Sequence, residues 1–108
     1  MQTVNKAFRT LGFNIGIPYY VFTKDIGKYT MLVVEGERLR GYRTANGTLV
    51  RGSSELKYTF YKARYQKHMN QKQTRYHVYC RQVSIQEVLT RVENYLVRQK
   101  EWKYQHIK

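Results

Sequence analysis

Apolar residues recur along this chain with two different periods, and each change of period marks an element. Val4, Ala7, Phe8 and Leu11 stand at i, i+3, i+4 and i+7, with Thr3 placed to cap their start and Gly12 to end them. That spacing predicts a helix of about two turns, whose small apolar face must dock on something to persist. Gly12, Gly16 and Pro18 then break the chain and lead into extended structure. β-Branched and aromatic residues fill Tyr19 to Thr23 and Tyr29 to Val34, on either side of a turn at Lys24-Asp25-Ile26-Gly27. These read as two strands. Glu35-Gly36-Glu37 supplies the next turn and Leu39 to Arg43 the returning strand. Asn46-Gly47 then joins about Arg40 to Ala45 with Thr48 to Arg51 in a hairpin, because both turn residues tolerate positive φ. Four short antiparallel strands in a meander are expected.

Past the pause at Gly52-Ser53-Ser54, the alternation is clearest from Arg75 to Arg81. A regular strand there puts Tyr76, Val78 and Cys80 on one face and Arg75, His77, Tyr79 and Arg81 on a wet, basic one. The stretch before it reads as a strand through Tyr58-Thr59-Phe60-Tyr61, with Leu56, Tyr58 and Phe60 on one face. Lys62 and Arg64 share that parity, which requires a bulge or an end of burial near Phe60. A helix with the stripe Leu56, Phe60 and Ala63 is the alternative. The polar run from Gln66 to Gln73 reads as a flexible hairpin tip. Ser84-Ile85-Gln86-Glu87 is a capping box, and Ile85, Val88, Leu89, Val92, Tyr95 and Leu96 follow at helical spacing. They predict a helix from about Ile85 to Lys100 that covers the sheet, with Trp102 extending the seam. The elements sum to one α+β domain over residues 1–102, an antiparallel meander or hairpin sheet with a short N-terminal helix and a C-terminal amphipathic helix packed on it. A winged-helix-like arrangement is the alternative, and Lys103 to Lys108 form a flexible basic tail.

Charge gives this scaffold a direction. The 108 residues carry 20 Lys plus Arg against 7 Asp plus Glu, a formal net charge of +13. Self-repulsion of that size is costly unless a polyanion offsets it. Between Leu56 and Gln86 there are seven Lys or Arg, two His, five Tyr and no carboxylate. Cations neutralise phosphates and flat rings stack on bases, so the mixture suits nucleic acid. The candidate binding residues are Lys57, Lys62, Arg64, Lys67, Lys72, Arg75, His77, Tyr79 and Arg81, joined by Arg38, Arg40 and Arg43 of the meander in one continuous basic surface. DNA is favoured over RNA; the interleaved Tyr suit unpaired bases, whereas Arg can also read guanine edges, which tilts the expectation slightly to a duplex over a single strand.

Other chemistries find little to work with. A single Asp, Asp25, and six scattered Glu leave few groups to hold a catalytic metal or move protons. His77 and Cys80 stand three apart, on opposite faces of a regular strand, so no metal is expected. Cys80 is the lone cysteine and reads as a small buried apolar residue. No glycine spacing matches a phosphate loop, and neither a cofactor nor enzymatic activity is expected. Gly16-Ile17-Pro18-Tyr19-Tyr20 resembles the opening of the GIY-YIG nucleases, but the second Tyr-Ile-Gly element and the acidic metal ligand of that family are missing. No role passes to these residues. The N-terminal residues lack the apolar core of a secretory signal and no run is long enough to span a membrane, so a cytoplasmic protein with no membrane partner is expected. The resulting expectation is a small non-catalytic DNA-binding protein of the accessory or regulatory kind found in phages and mobile elements. An inhibitor or adaptor that meets an acidic host protein is the alternative, and the last helix also offers a stripe for a homodimer.

Overall fold

The computed structural model describes residues 3–38, 42–43, 46–47, 49–50, 56–65 and 74–106. In chain order they form α1 (Val4–Thr10), β1 (Asn14–Ile17), β2 (Val21–Gly27), β3 (Thr30–Arg38), β4 (Tyr42–Arg43), β5 (Leu49–Val50), β6 (Leu56–Arg64), β7 (Arg75–Val83) and α2 (Ile85–His106). Strands β1, β2, β3, β6 and β7 lie side by side in that order in one antiparallel sheet. The chain is thus α+β with a helix at each end, as its periodicity predicts, and not winged-helix-like. The meander differs in one respect. The Asn46-Gly47 hairpin forms its own ladder, Tyr42↔Val50 and Arg43↔Leu49, so β3 pairs directly with β6 from Thr30↔Arg64 to Arg38↔Leu56.

Alternation sorts each strand into a dry face and an outer one. Phe22, Leu32, Val34, Tyr58 and Phe60 are buried on the dry face, and Phe8, Phe13, Val88 and Val92 close over them. Helix α1 is short but firmly ended. Thr3 Oγ1 accepts from the Lys6 N–H (3.2 Å), Gly12 takes φ +87°, and the N–H groups of Gly12 and Phe13 donate to the carbonyls of Arg9 and Phe8 (both 2.9 Å). This is a Schellman stop, with Phe13 edge-on to Phe8 (5.6 Å between ring centroids) as its apolar contact.

Two expected turns are strand instead. Lys24 to Gly27 stays within β2, which turns into β3 at residues 28–29. Glu35-Gly36-Glu37 runs straight through β3, because Gly36 serves as clearance rather than as a bend. A Cβ there would stand 2.7 Å from Cε1 of the Tyr58 ring. The Tyr58 hydroxyl, lying across that gap, donates to the Tyr19 carbonyl (2.9 Å). Tyr19 itself sits at φ +68°, and its N–H donates to Asn5 Oδ1 (2.8 Å). One glycine therefore lets a β6 ring tie the sheet to the β1–β2 turn and to α1. Gly16, expected only as a breaker, lies inside β1 where the pairing with β2 shifts register.

The last helix starts as the capping box predicts, with Ser84 Oγ accepting from the Glu87 N–H (3.2 Å). It continues past Lys100 to His106, through most of the segment expected to be a tail.

Candidate nucleic-acid interface

Leu56 to Arg64 is a strand, and it pairs with β3 without interruption, so its side-chain parity never resets. Leu56, Tyr58 and Phe60 face the helices, and Lys62 and Arg64 continue on the same side where burial ends: Phe60 is fully buried, Lys62 half-buried and Arg64 exposed.

Strand β7 is less regular. Its pairing with β6 slips between Tyr58↔Val83 and Phe60↔Cys80, and again between Phe60↔Cys80 and Tyr61↔Val78, each time with an extra residue on β7. Gln82 takes up part of this at φ +50°. Such bulges redirect side chains, so the predicted alternation holds from Arg75 to Tyr79 and fails from Cys80 onward. Tyr76 and Val78 lie on the outer face beside Tyr61 and Ala63, their register partners or neighbours, while Tyr79 and Cys80 turn toward the helices. His77 and Cys80 consequently share a face, contrary to expectation. Even so, no group of three His, Cys, Asp or Glu that could hold a metal occurs among the described residues.

Tyr79, expected on the wet face, is half-buried against α2. Its ring packs on Phe60 (4.9 Å), Tyr95 (5.1 Å) and His77 (4.7 Å). Burial, together with a hydrogen bond to Tyr95, pushes its phenol well above the usual tyrosine range. It is a packing residue that props the exposed His77 imidazole. Cys80 is half-buried against the core, and burial raises its thiol pKa, so it is kept as a neutral apolar contact.

The predicted basic residues divide between the two faces. Lys62↔His77 and Arg64↔Arg75 are directly paired across the β6–β7 ribbon, all on the helix side of its far end. Arg81 is on the outer face, in a groove with Glu35, Glu37, Thr59, Tyr61, Tyr76 and Val78. Lys57 faces the same way, opposite Glu37. Arg38 stands at the other end of the sheet, where its Nε–H donates to the Tyr20 hydroxyl (2.9 Å). Arg43 is placed by its backbone in β4, and Arg40, Lys67 and Lys72 lie outside the described residues. The single continuous surface predicted from charge is therefore split by sheet parity.

The residues that sequence reading missed are the acids of the outer face. Tyr61 donates to Glu35 Oε1 (2.6 Å) and Gln82 Nε2 donates to Glu37 Oε1 (2.9 Å). Burial and the Glu35 carboxylate together hold the Tyr61 phenol well above its usual range, so it remains a donor. Once Gly36 is read as strand, parity alone puts both acids there.

The helix-side end is different. Facing side chains on paired strands lie about 5 Å apart at Cβ, and like charges there oppose pairing. Among the described residues no carboxylate lies within ion-pair distance of Lys62, Arg64 or Arg75, and on the neighbouring helix Arg91 pairs with Glu87 (3.8 Å). The facing Arg64 and Arg75, with Lys62 and the His77 ring in the next register pair and no internal counter-ion among the described residues, make a place where an external anion is stabilising.

No helix among the described residues is long and apolar enough to cross a membrane. No protein-family model matches the chain, and no solved structure matches it. It is 42% identical over 96 residues to a protein of Bacillus subtilis (strain 168) described as "Uncharacterized protein YddA", an alignment spanning 89% of this chain and 81% of that one. At that identity and coverage, the chain belongs to the family of Bacillus subtilis YddA.

Proposed function

We propose that the chain is a small basic nucleic-acid-binding protein, non-catalytic and favouring duplex DNA, that seats a phosphate backbone on the helix-side end of the β6–β7 ribbon. The observation that carries this reading is the register itself: Lys62 faces His77 and Arg64 faces Arg75, with no carboxylate paired to these Lys and Arg side chains among the described residues. Phe60, Tyr79 and Tyr95 back this end of the five-stranded sheet, and paired strands can present their side chains to a DNA groove. The fork of an arginine also suits bidentate contact with phosphate better than a lysine does.

A fluorescence-anisotropy titration of labelled duplex DNA at rising salt tests the proposal. If about six phosphates are contacted, affinity falls by roughly three orders of magnitude between 50 and 200 mM salt. Absence of any complex at low salt, or a complex indifferent to salt, rules the reading out.

A further inference from the structure

We infer that the outer face of the five-stranded sheet docks a second copy of this chain. Both helices sit on the opposite side, and among the described residues no helix covers the outer one. Its middle is apolar and aromatic. Val33 and Ala63 are already buried within the chain, and Tyr61, Tyr76 and Val78 stand around them as the accessible apolar surface, Tyr76 with 62% of its surface free. A chain of net charge +13 repels its own copies through most of its surface, but this face carries Asp25, Glu35 and Glu37 against Lys57 and Arg81. It holds both signs in near balance around an apolar centre, as a self-complementary twofold contact requires.

Edge pairing is the rival route to a dimer, and the strands themselves resist it. β1 shifts register within four residues, and β7 carries two irregularities and a positive φ at Gln82; such bulges blunt an edge against further pairing. The face is also large enough. Five strands of this length at about 4.8 Å spacing and about 3.4 Å per residue present roughly 600 Å² per copy, so a dimer buries roughly 1,200 Å², the lower bound for a stable interface. Packed this way, the two Lys62, Arg64, Arg75 and His77 clusters lie on opposite outer flanks of the pair.

Sedimentation equilibrium of the full chain without nucleic acid, across a wide range of protein concentration, is the test. The wild type is expected to reach twice the monomer mass. Glu37→Lys and Arg81→Glu, both at exposed positions, each unbalance the face and are expected to shift the protein to monomer, and an equimolar mixture of the two is expected to restore the dimer. Circular dichroism of each variant confirms that the fold persists. A wild type that stays monomeric throughout overturns the inference, as does a dimer untouched by both exchanges. A monomer whose outer-face resonances move only when DNA is added overturns it too, and assigns the face to nucleic acid. Only this last outcome also counts against the phosphate site; the sedimentation results are obtained without DNA and leave that reading to its own titration.

Discussion

Replacing Arg64 and Arg75 together by Gln is expected to weaken duplex DNA binding by roughly two orders of magnitude at about 50 mM salt, and to lower the steepness of the salt dependence by about two. Each phosphate contact releases close to one condensed counter-ion, so the loss of two contacts appears both in affinity and in slope. A merely structural role would not change the slope. Both side chains are exposed, and removing a facing like-charge pair from β6 and β7 relieves repulsion in the free protein. Folding stability should therefore stay level or rise slightly while binding falls. The comparison pair is Arg81→Gln, on the other face beside Glu35 and Glu37, which is expected to leave the slope nearly unchanged. Equal effects from Arg81 and from Arg64 with Arg75 would mean that the two faces are not distinguished by the ligand.

Phe8→Ala is expected to cost about 3–5 kcal/mol of folding stability. Phe8 is fully buried. Its ring stacks on Phe22 at 4.2 Å, meets Phe13 edge-on at 5.6 Å and lies 6.5 Å from Tyr58. A seven-residue helix cannot hold itself together, so this one side chain keeps α1 on the sheet, and truncating it leaves a cavity next to the Schellman stop. Against the roughly 5–15 kcal/mol that holds a domain of this kind together, the loss is a large fraction. Urea denaturation checks it, and a change below about 1 kcal/mol would mean that α1 is not a working part of the core. Phe8→Leu keeps most of the volume and should cost about half as much or less.

Much of the fold was legible from spacing alone. The i, i+3, i+4, i+7 run from Val4 and the capping box at Ser84 located both helices, and the β preference of Tyr58-Thr59-Phe60-Tyr61 decided correctly between strand and helix for β6. Glycine misled. At Gly36 the residue type that marks turns is present for a tertiary reason, the room needed by a ring from a strand twenty-two positions later, and no local pattern reveals that. The site was half legible. The expected end of burial past Phe60 is what leaves Lys62 and Arg64 in reach of solvent on the helix side. What the alternation could not disclose were the β7 bulges, because an extra residue in one strand is defined only by its partner's register. That one feature turned Cys80 away from the face of Tyr76 and Val78 and separated Arg81 from Arg75, His77 and Tyr79.

The proposed phosphate site is tested most directly by amide chemical-shift mapping while a short DNA duplex is titrated in at low salt. The largest shifts are expected at Lys62, Arg64, Arg75 and His77, with Val33, Tyr61 and Val78 of the outer face quiet. Shifts centred on those three, or spread evenly over both faces, would contradict the assignment.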